Sequence, residues 1–252
     1  MMLQGRPLSP IAWQLCDVAE LVEETARVKT IVLEAREWPG HRAGQHVDVR
    51  LTAEDGYQAQ RSYSIASAPE DDRLAITVER LDEGEVSPYL AEELVAGDKL
   101  ELRGPIGGYF VWEARDGGPL LLVAGGSGVV PLMSMLRHRA AAGATATPAR
   151  LLYSARTLDD VIYRDELSRL ADGESTDVRY ALTRTQPPGW TGYARRVDEA
   201  ILREVAYGDG EGFGFGFVCG PTRFVEAVAD GLLAVGYAPE RVRTERFGPT
   251  GG

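Results

Sequence analysis

PLLLVAGGSGVVPLMSMLRHRA, residues 119–140, decides the fold. A short, wholly apolar run enters a glycine-rich turn, and an apolar-rich segment of helical length follows. This is the pattern of a strand buried on both faces that hands over to a helix. The pattern recurs downstream. ARLLYSAR (149–156) leads into LDDVIYRDELSRL (158–170), and DVRYALTR (177–184) leads toward RVDEAILREV (196–205). GFGFVCG (214–220) leads into PTRFVEAVADGLLAVG (221–236), and a last strand is expected at RVRTERF (241–247). GEGFGFGFVCG, residues 210–220, reads as a strand preceded by a loop. Strands alternating with helices predict a parallel sheet covered on both faces, with ligands bound beyond the carboxyl ends of its strands.

Upstream the period changes. HVDVRL (46–51), RSYSIAS (61–67), LAITVERL (74–81) and KLELRG (99–104) alternate apolar and polar residues, with turn signals at 38–40, 54–56 and 68–72. Short alternating strands from Trp13 to about Phe110 predict an antiparallel barrel or sandwich, interrupted by one helix at Ser87 to Leu94. The switch falls at Ala114 to Gly118. Two domains are therefore expected, residues 1–115 and 116–252.

Composition narrows the function. The opening MMLQGRPLSPIAWQL lacks the apolar middle of a secretion signal, and no run approaches the roughly 20 apolar residues of a membrane-spanning helix. A cytoplasmic protein that does not cross a membrane is expected. The only two cysteines, Cys16 and Cys219, are too few for a four-thiolate cluster, and a reducing compartment makes a disulfide between them unexpected. A net charge of -11 argues against nucleic acid as a partner. The three histidines have no metal-ligand spacing, so solvated or capping roles are expected for His41, His46 and His138, and no metal site is expected. Tyr163, Arg164 and Asp165 read as part of a packed helix.

Four segments carry chemistry. In AGGSGVVP, Gly125, Gly126 and Gly128 stand too close together for the spaced three-glycine dinucleotide fingerprint. They fit a turn where backbone amides approach a pyrophosphate, or a turn that only lets strand and helix pack closely. Cys219-Gly220-Pro221 is a second strand-to-helix turn on the same rim. Arg61-Ser62-Tyr63-Ser64 offers a cation, an aromatic face and a hydroxyl on one strand. A flavin uses all three; a salt-bridged packing face is the other reading. Gly84-Glu85-Val86-Ser87 precedes the expected helix, whose amino end suits phosphate, although a plain serine cap explains it equally.

RSYS, GEVS, RGPIGGYF (103–110), AGGSGVVP, CGP and the terminal TERF occur in one order across nearly the whole chain. Together they resemble the ferredoxin-NADP reductase family. The resemblance implies an FAD-binding barrel followed by a nicotinamide-binding domain. It further implies hydride transfer from NADPH, with NADH as the alternative coenzyme, to FAD and electron delivery to a redox partner such as a ferredoxin, a haem protein or another metalloenzyme. A free flavin or quinone reductase, or a flavin-bearing subunit active only in a complex, remains the alternative. By the resemblance Arg61, Tyr63, Ser64 and Ile65 contact the flavin. Thr77, Val78, Gly84, Glu85, Val86 and Ser87 hold its phosphates and neighbouring groups. Gly126 and Ser127 lie near both cofactors, Cys219 with Gly220 and Pro221 sits beside the nicotinamide, Glu245 lies near Ser64 and Cys219, and Phe247 covers a ring face. Ser64, Cys219 and Glu245 are the expected catalytic residues. Arg156, Thr183 and Arg184 are expected at the 2'-phosphate, with Tyr193 stacking on adenine. Glu79 stands where plant-type members carry a basic residue, which makes Arg80 the expected source of phosphate charge.

Overall fold

A computed structural model describes residues 11–173, 176–208 and 214–248. The first ten residues, the loop expected at 210–213 and the tail from residue 249 lie outside the described residues.

The first half is a six-stranded antiparallel sheet of β1 (Trp13–Thr25), β2 (Val28–Glu34), β3 (His46–Thr52), β4 (Gln58–Ser64), β5 (Leu74–Glu79) and β6 (Lys99–Ile106), in the order β4-β3-β6-β1-β2-β5. Val47, Val49, Ile31, Leu33, Ile76, Val78, Leu100 and Leu102 point into one buried cluster, as alternation requires. The sheet curls into a barrel that closes only at its end, where Ile65 bridges Ile76 and Ala66 N–H donates to Ala75 O at 2.7 Å. Beyond that bridge β4 and β5 do not pair, and among the described residues no strand pairs with β5 at Thr77–Glu79 on that side. The barrel therefore has an open seam, bounded by Arg61–Ser64 and Thr77–Glu79.

The long first hairpin, β1 with β2, was not delimited by alternation. Register shifts at Val18/Glu20 and Glu23/Thr25 insert bulges that invert the side-chain phase. The helix expected at Ser87 to Leu94 is a single π-helical turn at Tyr89–Glu93 with Pro88 at its cap, too short to form an anion site.

The second half is a parallel sheet of β7 (Leu120–Gly125), β8 (Ala149–Ala155), β9 (Thr176–Leu182), β10 (Phe215–Pro221) and β11 (Val242–Phe247), in the order β11-β10-β7-β8-β9. Leu120, Leu122 and Ala124 face one buried cluster while Leu121 and Val123 face another, which is why β7 shows no alternation. Helices α1 (Val129–Ala141) and α2 (Arg164–Asp172) cover the first face; α3 (Glu199–Val205) and α4 (Thr222–Val235) cover the second. Strand order reverses between β7 and β10, so the two glycine turns end neighbouring strands at the switch point where such sheets take ligands.

The halves share a core. Val28, Ala43, Ala66, Ala75, Phe110 and Trp112 of the first half join Met133, Met135 and Leu136 of α1 in one buried cluster. Polar contacts lock the same surface: Ser134 Oγ donates to Ser67 O at 2.7 Å and Arg137 Nη1 to Ala66 O at 2.7 Å. Two histidines for which solvated or capping roles were expected sit at this interface, and His138 does cap the first amide of the turn Ala114–Asp116. His138 Nδ1 lies 2.8 Å from Glu70 while its Nε2 accepts from Ala114 N–H, and His41 accepts from Trp38 Nε1 and reaches Ser67 O at 3.2 Å. Among the described residues no helix is long and apolar enough to cross a membrane, and no acidic, histidine or cysteine cluster could hold a metal.

Candidate active site

At the switch point the glycines divide by role. A Cβ on Gly128 would lie 2.2 Å from Cys219 O, and Cβ atoms on Gly125 and Gly220 would each lie 2.8 Å from the Phe224 ring. These three let β7, β10 and the helices close on one another. Gly126 is different: its φ is +55° and no heavy atom lies within 4 Å of where a Cβ would stand. It opens onto space with Ser127 beside it. Among the described residues neither α1 nor α4 has a side-chain cap at its amino end, and the 3-10 turn Gly126–Gly128 leads directly into α1.

The neighbouring strand brings in a carboxyl. Cys219 on β10 is in register with Glu245 on β11. The Cys219 thiol is buried and neutral: burial first, and Glu245 second, push its pKa well above the ordinary value. Burial pushes Glu245 itself up to about 7. One of its oxygens, Oε2, is buried with no hydrogen-bond partner among the described residues. The other, Oε1, lies 3.7 Å from His46 Nδ1, beyond direct hydrogen-bond reach. His46 is in register with Ser64 across β3 and β4, so the approach of Glu245 to His46 brings this barrel edge up to the sheet. Burial pushes the His46 pKa down, so the pair is not an ion pair at neutral pH. Sequence reading named Ser64, Cys219 and Glu245 but missed His46. The available signal was that His46 opens the strand preceding RSYS, where antiparallel pairing sets it opposite Ser64.

On the seam, Arg61 donates to Glu85 at 2.8 Å and Tyr57 O–H donates to the same carboxylate at 2.7 Å. Tyr63 and Ser64 are half-buried, and Ile65 is buried in the barrel core. Gly84 sits in a tight turn where a Cβ would meet Ser87 Oγ at 2.8 Å, and Ser87 Oγ accepts from Leu81 N–H. Several expectations change here. Val78 and Val86 are fully buried in the barrel core, so only their main chain could reach a phosphate. Thr77 Oγ1 is bonded to Thr30 and Tyr163. The Arg80 guanidinium is engaged by Asp82 and Glu92, as Arg61 is by Glu85, so both cations beside the seam are paired with carboxylates.

At the ends of β8 and β9 the backbone brings Arg156, Thr183 and Arg184 together. Arg184 N–H donates to Arg156 O at 2.9 Å, and Thr183 N–H to Ala155 O at 3.0 Å. Both arginines are exposed and make no ion pair among the described residues. Tyr193 stands at the same end of β9: it lies alongside Ala181 and its O accepts from Leu182 N–H at 2.9 Å, next to Thr183, while its side chain packs against the α3/α4 face and interacts with Arg179 and Glu204. Phe247 ends β11, 37% exposed, in register with Pro221.

Barrel seam, switch-point glycines and buried carboxyl together define the class: a two-domain oxidoreductase with a flavin seat and a nicotinamide seat. The family described as "Oxidoreductase FAD-binding domain" matches residues 13–111, and "Oxidoreductase NAD-binding domain" matches residues 122–230. Ferredoxin--NADP reductase B of Sorangium cellulosum is 37% identical over 248 residues, covering 96% of this chain and 94% of that one. The glycine betaine monooxygenase reductase subunit of Chromohalobacter salexigens is 34% identical over 83% of this chain, which spans 56% of that protein's length. In fold, a ferredoxin NADP+ reductase from Neisseria gonorrhoeae with bound FAD and NADP matches with a TM-score of 0.80 at 21% identity, covering 93% of this chain and 98% of that one. The chain belongs to the ferredoxin-NADP reductase family and is an FAD-dependent NAD(P)H oxidoreductase.

Proposed function

We propose that NADPH is the preferred electron donor and that a protein carrying a metal centre, such as a ferredoxin or an oxygenase component, is the acceptor. The carrying observation is the buried Glu245 carboxyl, whose Oε2 has no partner among the described residues, set between the Cys219 thiol and the His46–Ser64 edge of the barrel. FAD, when bound, supplies hydride acceptance and onward electron delivery.

The chain's own residues divide the remaining work. Cys219, Gly126 and Ser127 hold the nicotinamide against the barrel, and restricting two rings to reacting geometry can supply about 7–11 kcal/mol of a barrier. Ser64 presents a hydroxyl at the seam. Glu245, protonated up to about pH 7, holds a proton at the face that His46 shares with it, 3.7 Å from Nδ1 and one short rearrangement from a direct bond. Arg61 carries positive charge for the flavin phosphates, its interaction shared with Glu85. Phe247 shields the ring stack from water. Arg156, Thr183 and Arg184 receive the 2'-phosphate. Tyr193, alongside Ala181 and Leu182 next to Thr183, stacks on the adenine. The two domains divide at 115/116, within the 3-10 turn Ala114–Asp116 that precedes β7.

The relative named as a monooxygenase reductase subunit supports a protein acceptor. The test is anaerobic mixing of the FAD-loaded chain with NADPH or NADH, followed by addition of a ferredoxin, a haem protein or free flavin mononucleotide. Faster reduction by NADPH and fast reoxidation by one of the proteins is expected. Saturable turnover with free flavin alone would identify a small-molecule reductase instead.

A further inference from the structure

One buried polar chain crosses between the domains at the seam. Tyr163, at the amino cap of α2, is the only non-glycine residue among those described with a positive φ, +59°. A left-handed conformation at a bulky residue costs about 1–2 kcal/mol, so it persists where surrounding contacts demand it. It was expected inside a helix; instead it ends the preceding loop and turns its ring out of the sheet domain toward the barrel. Its hydroxyl meets Thr77 Oγ1, which lies 2.8 Å from Thr30 Oγ1, which in turn donates to Glu24 Oε1 at 2.7 Å.

The directions of these bonds follow from counting hydrogens. Each hydroxyl has one. Thr30 gives its hydrogen to the Glu24 carboxylate, so Thr77 must donate to Thr30, and Tyr163 must donate to Thr77. The chain is polarised from the sheet domain into the barrel, and Thr77 is its middle link.

Arg137 completes the arrangement. Its guanidinium lies 4.7 Å from the centre of the Tyr163 ring, forks onto Glu166 at 2.9 and 2.6 Å, and donates to Ala66 O at 2.7 Å. Ala66 follows Ser64 and Ile65 directly. One lip of the seam is thus held through Ala66 and the other through Thr77, both from α1 and α2 of the opposite domain.

We infer that Tyr163 is a positioning residue for the flavin: through Thr77 it fixes the β5 lip against which the flavin ring must fit. The inference rests on the seam being the FAD seat. Neither Tyr163 nor Arg137 needs to touch the cofactor for this.

The test measures FAD binding to the full chain, by quenching of flavin fluorescence and by the fine structure of the visible flavin band, beside the urea midpoint. Tyr163→Phe keeps the ring under Arg137 and removes only the last donor, so FAD affinity should fall about 5-fold, the worth of one ordinary hydrogen bond. Thr77→Val breaks the chain in its middle and should cost about 10-fold or more, because the Tyr163 donor is then left buried without an acceptor. Thr77→Ser should restore binding. The double variant Y163F/T77V should bind no more weakly than T77V alone, since one broken chain cannot be broken twice. Unchanged FAD affinity in both single variants, or fully additive losses in the double, would overturn the inference. If the unaltered chain takes up no FAD, the functional reading itself fails, which is a separate result.

Discussion

Glu245 carries the clearest consequence at the scale of single residues. Its carboxyl holds its proton up to about pH 7 where an ordinary one titrates near 4.5. Below pH 4.5 it is protonated in the folded and unfolded chain alike. Between 4.5 and 7 the unfolded chain ionises while the buried carboxyl does not, so stability falls as pH rises, and above 7 the loss is constant. Glu245→Gln removes that slope: urea midpoints of variant and parent should converge or cross between pH 5 and pH 8. If the same proton serves the reaction, the rate of flavin reduction by NADPH should show an inflection near pH 7 that the glutamine variant lacks. An inflection unchanged in Glu245→Gln would remove the carboxyl from the mechanism. Glu245 and Cys219 were legible because each belongs to a short motif. His46 was not, since its place beside them depends on a strand pairing and a domain contact that no local pattern records.

Among elements, the glycine turn after β7 separates packing from access. Gly128→Ala puts a methyl 2.2 Å from the Cys219 carbonyl, so β10 and α1 must part. A loss of about 1–3 kcal/mol in unfolding free energy is expected, together with slower hydride transfer as Cys219 shifts. Gly126→Ala meets no atom within 4 Å but must sit at φ +55°, costing about 1–2 kcal/mol, and its methyl enters the space offered to the coenzyme. A large rise in KM for NADPH with this variant, and a smaller one with Gly128→Ala, would separate the two roles by steady-state kinetics. Arg137→Met should cost about 1–3 kcal/mol, because it removes the charge-assisted bonds to the half-buried Glu166 and frees the Ala66 lip; chemical unfolding checks it. The parallel strands were readable as continuous apolar runs. The first hairpin hid behind its bulges, and Tyr163 hid inside an apparently helical stretch, since a left-handed cap is imposed by what the ring and hydroxyl contact.

For the whole molecule, charge is distributed against its average. In a chain of net charge -11, Arg156 and Arg184 are exposed at one end of the sheet and make no ion pair among the described residues, while Arg61, Arg80 and Arg195 are each held by a carboxylate. Replacing either Arg156 or Arg184 with alanine should raise KM for NADPH about 10-fold or more, the worth of a charge-assisted hydrogen bond, and leave NADH nearly unaffected. Equal loss with both coenzymes would assign those arginines to structure.

The barrel that does not quite close has a last consequence. An uncovered strand margin with free amides and carbonyls invites other chains to extend the sheet, and proteins ordinarily blunt such margins with charge, proline or a covering segment. At Thr77–Glu79 the margin carries a single charge, on Glu79, and no proline, so a flat heterocycle laid along it also serves as a stopper. Copies of this chain stripped of their prosthetic group should accordingly stick to one another, and adding FAD back should disperse them.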